Sequence, residues 1–348
     1  TDRADELAVV IAQHLMDAVT ASGPQDHDVP ALQRRTGELL AQAAGRSCSL
    51  GSFADGLRLY QSAAARLEDP RAKAQVQAEA AESALVLNDF DTALELSRTA
   101  LEALEAGGDR TGGGVPAAQA AATQAEALMA RGEVRAALDL LQPRYEALVG
   151  APGTEAARLR LLASLVRIRM FSAPQDPETL HLAHDQIRLS EQLQDEQGLA
   201  HSIHTLSTLE SLLGCRTVSD ALTNQALTMS MELGDWRSIV IARGNQADIL
   251  LPTSLDESVQ QGEEALVVAA AHGLHTFAEG VSSNLATALW VRGDWTRLDE
   301  LLSGFAESGV HDPSSRTSFM AVDLARRGRA GAAGPSAGAR SDRGAAGA

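Results

Sequence analysis

Two histidine pairs are the residues in this sequence whose type and spacing could most directly support chemistry. His181 and His184 lie three positions apart, as do His201 and His204, so each pair shares one face of a helix. Histidines at that spacing can hold a metal ion. No cluster of carboxylate or cysteine ligands accompanies either pair along the chain. The sequence therefore favours a solvated or half-buried helix face over a metal site, and we expect no bound metal.

Motifs for phosphate binding, dinucleotide binding and nucleophilic catalysis are absent from the sequence. It contains no GxxxxGK[ST], GxGxxG, CxxC, HExxH or GxSxG pattern. Cys48 and Cys215 are far apart, which predicts two small thiols rather than a disulfide framework or a zinc site. We expect this chain to have no catalytic residues and to need no cofactor.

A short helix–turn–helix pattern recurs about seven times and indicates how the remaining residues are positioned. The clearest turns are Leu50-Gly51-Ser52-Phe53, Leu87-Asn88-Asp89-Phe90, Arg131-Gly132-Glu133-Val134 and Arg292-Gly293-Asp294-Trp295. Each turn joins two Ala/Leu-rich stretches, and aromatic residues make up only 3% of the chain. Self-similarity of this kind predicts an all-α solenoid in which each helix pair buries its apolar face against its neighbours.

The pattern predicts an initial helix over 2–20 and then seven helix pairs. The pairs are 31–49 with 53–67, 71–87 with 90–104, 116–130 with 134–149, 155–171 with 177–193, 198–213 with 218–233, 236–250 with 255–271, and 275–291 with 295–307. The repeat pattern is clear in pairs one, two, three, five and seven, whereas pairs four and six lack a clean turn glycine.

These repeats resemble tetratricopeptide repeats. A small residue recurs about seven positions before the turn, where the two helices of a pair must approach closely: Ala44, Ala81, Ala125, Ser207 and Ala286. An aromatic side chain follows the turn residue by two positions at Phe53, Phe90 and Trp295, with Val134 as a smaller equivalent. The residue that opens the second helix is small at Ala93 and Ala137. Gly56 is also small but is a poor helix former, and Leu298 departs from the pattern. The resemblance implies a right-handed superhelix of antiparallel helix pairs.

One set of polar residues lies nine positions before the turns. It comprises Gln42, Glu79, Thr123, Thr205, Asn245 and Asn284. In tetratricopeptide arrays this position faces the concave groove, so the set is our candidate binding site for a peptide or helix. Hydrogen bonding between repeats and plain solvation are the alternatives. The family's carboxylate clamp needs basic residues in the groove, and Lys73 is the only lysine, so we do not expect binding of chaperone tails.

Charge and hydropathy narrow the classes of partner. The formal net charge of −17 repels phosphate backbones, so we expect no nucleic acid on the body of the protein. No apolar run is long enough to span a bilayer and no secretory signal is present, which predicts a cytoplasmic protein without membrane contact. A protein or peptide partner remains the expectation, and the oligomeric state is not readable.

The segments 5–15, 51–60 and 232–236 resemble the helical region of large bacterial class III adenylate/guanylate cyclases that carry an AAA-type ATPase. Large ATP-binding LuxR-type regulators have nearly the same region, and a helical enzyme is a third alternative. The resemblance implies an interaction or scaffold arm of a multidomain signalling protein. The resemblance implies that the helix at 1–22 links the solenoid to an upstream domain. The repeats themselves predict the solenoid at 30–308, and the Gly/Ala/Arg composition predicts a disordered tail at 326–348. Since the chain starts at Thr1 without a methionine, we expect a piece of a longer polypeptide.

Overall fold

The computed structural model describes residues 2–21, 27–107, 114–308 and 319–326. These residues form sixteen helices and, within the described ranges, no β-strand. The architecture is a tetratricopeptide-like α-solenoid, which confirms the predicted fold class. The handedness of its superhelix stays a prediction.

The helices follow the chain in an unbroken series. They are α1 (Asp2–Ala21), α2 (Val29–Ser49), α3 (Phe53–Ala64), α4 (Pro70–Val86), α5 (Phe90–Ala106), α6 (Val115–Ala130), α7 (Val134–Leu148), α8 (Glu155–Ser172), α9 (Pro177–Leu193), α10 (Glu196–Leu212), α11 (Arg216–Leu233), α12 (Trp236–Leu250), α13 (Leu255–Ala271), α14 (His275–Arg292), α15 (Trp295–Ser308) and α16 (319–326).

Local signals explain why the helices begin and end where they do. Asp69 caps α4 by accepting a hydrogen bond from the backbone N–H of Ala72, and Pro70 occupies the first turn, where a missing N–H costs nothing. At the turn between α6 and α7, Gly132 has φ +82°, a left-handed conformation that glycine adopts without strain. Asn88 takes the same role between α4 and α5 with φ 59°.

The helices form two layers. Each odd-numbered helix from α3 to α13 packs between the two even-numbered helices that flank it in sequence. Even-numbered helices also contact one another directly, in the pairs α4–α6, α6–α8 and α12–α14. The even-numbered helices therefore form the inner layer of the superhelix and the odd-numbered helices its outer layer.

The small residues of the repeat pattern lie where the pattern predicts. Ala44, Ala81, Ala125 and Ala286 are fully buried, and Ser207 is 1% exposed. Because helix backbones approach closely at these positions, the core is built mainly from alanine and leucine. The structure explains the residues at Gly56 and Leu298. A Cβ atom on Gly56 would clash with the Sγ of Cys48, whereas Leu298 is accommodated fully buried.

Distant repeats meet across the superhelix. The rings of Phe53 at the start of α3 and Phe277 in α14 stand edge to face, with 6.4 Å between their centroids. The backbone of Gly51 also approaches the turn before α14 closely. A Cβ atom added to this glycine would lie only 2.9 Å from the carbonyl oxygen of His272. The inner layer therefore encloses an interior space, and the first pair touches the turn between pairs six and seven.

The two ends of the described array carry additional helices. Ala8 and Ala12 of α1 are fully buried in a cluster with Leu39 and Leu40 of α2. At the other end, Phe319 of α16 packs into a cluster with residues of α14. Nearly all of the predicted tail at 326–348 lies outside the described residues, and the origin of α1 in an upstream domain stays a prediction.

Candidate functional site

Titratable side chains from five inner-layer helices converge in the interior space. We call six of them the interior cluster: Glu82, Glu126, Arg160, Arg167, His201 and Arg237. They come from α4, α6, α8, α10 and α12. Electrostatic interactions link Arg237 to Glu82, Glu126 and Arg167, and link His201 to Arg160, Arg167 and Arg237. The site therefore depends on the curvature of the whole solenoid.

Glu82 of α4 is the first of two carboxylates that tie neighbouring repeats together. Its Oε2 atom accepts hydrogen bonds from the Nε2 of Gln119, at 2.7 Å, and from the Nη2 of Arg160, at 2.6 Å. Arg160 belongs to α8, so this carboxylate bridges three successive inner helices. The Arg160 pKa is raised: burial alone would lower it, but the Glu82 carboxylate outweighs that effect.

Glu126 of α6 makes the second bridge. It accepts a 2.6 Å hydrogen bond from the Ser164 hydroxyl and pairs with the Nη1 of Arg167 at 3.0 Å. Burial raises the pKa of such a carboxyl, but Arg167 and Ser164 outweigh that effect, so the Glu126 pKa is lowered. Arg167 and Arg160 both belong to α8, which makes this helix the main source of positive charge in the interior.

Arg237 is arranged differently from the other two guanidinium groups. It lies near the start of α12, with its Cζ atom 4.8 Å from the centroid of the Phe277 ring. Within the described part of the chain no carboxylate oxygen lies within 4.0 Å of it. Asp235, two residues earlier, accepts hydrogen bonds from the backbone and hydroxyl of Ser238 and from Gln197 instead. Arg237 therefore enters the interior with an aromatic neighbour but no ion pair.

The histidines of α10 sit beside these charges. The Nε2 of His204 accepts a 2.9 Å hydrogen bond from the Asn245 amide, which leaves the proton on Nδ1; this tautomer is assigned from the bonding pattern. The Nδ1 atom is buried without a partner among the described residues. Burial lowers the His204 pKa to about 4, and His201 adds to the shift. A space of about one water molecule lies between these two histidines and α12.

The His201 ring lies within the interior and keeps access to solvent. Its pKa is lowered because surrounding protein atoms exclude water, and because Arg237 and Arg167 repel a proton. Both α10 histidines are therefore neutral at pH 7. His181 and His184 are exposed on α9, and no cluster of three or more potential metal ligands occurs among the described residues.

The sequence-predicted polar set falls into three groups. Asn245 donates to His204 and to the Thr208 hydroxyl, and Asn284 donates to the carbonyl oxygen of Gly244 at 3.0 Å. All three bonds join successive inner helices. This geometry matches the inter-repeat alternative, and binding of a ligand by these two residues stays a prediction.

The buried members of the set are Thr123, which is 3% exposed, and Thr205, which is 6% exposed. The Thr205 hydroxyl donates to the His201 carbonyl within its own helix. Both threonines are therefore largely enclosed by neighbouring helices, and their role as groove residues stays a prediction.

The remaining members, Gln42 and Glu79, are exposed. Glu79 borders an open groove of about 440 Å³ with Tyr60 and Gln75. Its pKa is raised by partial burial and by the nearby Glu82 carboxylate. These two positions remain candidate groove residues.

Sequence reasoning missed the interior cluster for two reasons. Glu82 and Glu126 lie six positions before the turn residues Asn88 and Gly132, whereas the predicted set lies nine positions before them. In these two helices the interior carboxylates are therefore one helical turn closer to the turn than the predicted residues. Arg160 and Arg167 belong to pair four, which has no clean turn to count from. The argument from lysine scarcity did not anticipate that arginines supply the positive charge of the interior, and the absence of chaperone-tail binding stays a prediction.

No protein-family model matches the chain, and no curated protein matches it. Solved structures with the same fold include a Rap protein complexed with Competence and Sporulation Factor, at TM-score 0.64 and 13% identity, covering 86% of this chain and 80% of that one. Aspartyl phosphate phosphatase F from Bacillus subtilis matches with TM-score 0.57 and 14% identity, over 84% and 72% of the two chains. The apo form of RapI matches with TM-score 0.57 and 12% identity, over 82% and 98%. These similarities show the fold.

Proposed function

We propose that this chain is a non-catalytic protein-interaction scaffold that captures a protein or peptide segment on the inner surface of its superhelix. The observation that carries the proposal is the convergence of the interior cluster from five helices onto one enclosed surface. Polar groups spaced along stacked helices can hydrogen-bond an extended or helical ligand at several points. The structural neighbour with TM-score 0.64 was solved with a bound factor, which supports the same use of this fold.

The wider role we propose rests on the sequence resemblance. The chain would act as the arm of a multidomain bacterial signalling protein, similar to the C-terminal region of a nucleotide cyclase with an ATPase module, in the cytoplasm. Its linking helix at 1–22 would transmit ligand capture from the solenoid at 30–308 to the upstream domains. An arm of a large ATP-binding transcriptional regulator is the alternative. None of the described helices is long and apolar enough to cross a bilayer.

Matched ion-pair deletions test the proposal. The interior double variant Glu82→Gln/Arg160→Gln removes one carboxylate and one guanidinium from the inner surface. Its control, Arg135→Gln/Asp139→Asn, removes an exposed ion pair from the outer helix α7 with the same change in charge. We expect capture of partners from a bacterial extract to fall for the interior variant and to persist for the control. Equal loss in both variants would contradict the proposal.

The enzyme alternative has its own test. We expect the purified chain to neither hydrolyse nor cyclise ATP or GTP, because it has no phosphate loop and no set of metal-binding carboxylates in its sequence. Turnover that a single substitution within this chain abolishes would overturn this expectation.

A further inference from the structure

The buried apolar clusters of the described residues fall into two series that share no helix. The first series overlaps from one helix pair to the next, from Ala8 in α1 to Leu209 in α10, with Leu222 of α11 packed against its last cluster. The second series begins at Val240 in α12 and ends at Val322 in α16. We call these parts the amino-terminal block (α1–α11) and the carboxyl-terminal block (α12–α16), and their interface the seam.

Hydrogen bonds between polar side chains cross the seam at the place where the apolar series is interrupted. The Asn245 amide of α12 donates to His204 and Thr208 of α10. The Nε2 of Gln246, also in α12, donates to the Oδ1 of Asn224 in α11 at 2.9 Å. Such bonds contribute little net stability, because water satisfies the same groups when the partners separate.

The polar groups of the seam are also incompletely bonded. The Nδ1 of His204 and the Oε1 of Gln246 are buried without a hydrogen-bond partner among the described residues. The water-sized space beside His204 lies between α10, α11 and α12, and Ala226 and Ser238 border it. Most buried polar groups in proteins are paired and most interiors are close-packed, so this interface is less completely formed than a typical core.

Ion pairs and inner-layer contacts show the same division. Arg160 and Glu82 join α8 to α4, and Arg243 and Glu264 join α12 to α13, but no ion pair between described residues crosses the seam. Helix α12 contacts α14 extensively and α10 only slightly. The contact of α8 with α10 is also slight, but there the apolar cluster continues through Leu182 of α9. Among the described helix contacts, the seam alone combines slight inner-layer contact with an interrupted apolar core.

We propose that the seam is a hinge, about which the carboxyl-terminal block turns as one body relative to the amino-terminal block. Each block keeps its own apolar clusters during this motion, so little buried apolar surface is lost. The short link between α11 and α12 contains Gly234, with φ +65°, and a few such residues can absorb the backbone change of a hinge. Turning would separate Phe53 of the first block from Phe277 of the second and thereby open the interior. The motion does not depend on whether the interior captures a peptide.

The test measures distances between pairs of nitroxide labels by double electron–electron resonance on the full chain. Cys48→Ser and Cys215→Ser remove the native thiols, and the labels are attached to cysteines at Arg98 of α5, His184 of α9 and Gln260 of α13, which are all exposed. The pair His184/Gln260 crosses the seam. The pair Arg98/His184 spans the same number of helices within one block and is the control. We expect the distance distribution of the crossing pair to be at least about twice as wide, or bimodal, because the blocks occupy two arrangements.

A second set of variants locates the motion. Asn224→Leu/Gln246→Leu replaces a polar pair across the seam by an apolar one, which should join the two apolar series and narrow the crossing distribution. Gln142→Leu/Glu146→Leu makes the same exchange within α7 and should leave it unchanged. Ala242→Val, which adds methyl groups to the water-sized space, is the alternative if the first double variant does not fold. Urea unfolding verifies that each labelled protein is folded.

Two outcomes would overturn the inference. Equal widths for the crossing pair and the control pair would mean that the solenoid bends evenly or not at all. A wide crossing distribution that neither seam variant narrows would place the motion at another interface. Neither outcome bears on peptide capture, which the ion-pair variants of the inner surface test separately.

Discussion

Asn245 shows how a single side chain can be part of the fold rather than of a binding surface. Its amide donates to His204 at 2.9 Å and to Thr208 at 3.2 Å, so it joins α12 to α10. Removing one partner of a buried hydrogen bond costs about 1–3 kcal/mol, because the other partner is left unsatisfied.

We therefore expect Asn245→Ala to lower the free energy of unfolding by about 1–3 kcal/mol. Asn284→Ala should have a smaller effect, because it removes one bond to a backbone carbonyl. Urea unfolding followed by circular dichroism measures both. Unchanged stability together with weakened peptide binding would support the groove interpretation instead.

His204 should make stability depend on pH. Its pKa is lowered to about 4 in the folded protein, below the ordinary value of 6.5, so the unfolded chain binds the proton more readily. The folded state is therefore favoured at pH 7 and loses stability as the pH falls from about 6.5 to about 4. The linkage amounts to at most roughly 3 kcal/mol.

We expect His204→Gln to reduce the pH dependence of the urea midpoint over this interval, while His201, whose pKa is also lowered to about 4, supplies the remainder. His27→Gln serves as the control, because that side chain is fully exposed. If the wild-type protein and the His204 variant lose stability in parallel between pH 6.5 and pH 4, this histidine does not control the transition.

At the scale of the helix, most of the structure was predictable from the sequence. The predicted bounds of pair six coincide with α12 and α13, and pair four, without a turn glycine, was still placed over α8 and α9. Apolar periodicity and capping residues are local signals, which explains this success. The interior cluster was not predictable, because it depends on which helices the superhelix brings face to face.

The helix contact at Ala125 gives a test of this packing. The residue is fully buried in α6, so Ala125→Leu would force a large side chain into a close helix contact and cost about 1–3 kcal/mol or more. Ala130→Leu, at the exposed end of the same helix, should change stability by less than about 0.5 kcal/mol. Equal effects of the two substitutions in urea unfolding would contradict the close-packing argument.

The turns allow a test that depends on backbone conformation alone. Gly132 has φ +82°, and a Cβ atom there would meet nothing within 4 Å, so Gly132→Ala isolates the strain of the left-handed conformation. We expect a loss of about 1–2 kcal/mol. Gly280→Ala, within α14 and with equally open space, should instead stabilise by about 0.5–1 kcal/mol. Urea midpoints that shift in the same direction for both variants would be inconsistent with this explanation.

At the scale of the whole molecule, the contact between the first pair and the turn that precedes α14 determines how closed the interior is. A solenoid repeat otherwise contacts only its sequence neighbours, so its curvature is set by many small, compliant interfaces. The Phe53–Phe277 contact adds a constraint between residues more than two hundred positions apart. Arg237 stacks on the same Phe277 ring, so closure of the superhelix and presentation of the interior guanidinium are physically coupled.

This coupling predicts that loosening the contact opens the molecule. Phe53→Ala removes the aromatic contact without touching the interior cluster, and aromatic pairs contribute about 0.5–1.5 kcal/mol beyond their buried area. We expect a larger radius of gyration in small-angle X-ray scattering and little change in helix content by circular dichroism. Phe171→Ala, which removes an exposed aromatic ring at the end of α8, should leave the radius unchanged. A radius that stays the same in Phe53→Ala would mean that the stacked inner helices alone fix the curvature, and that Arg237 keeps its position independently of the closure.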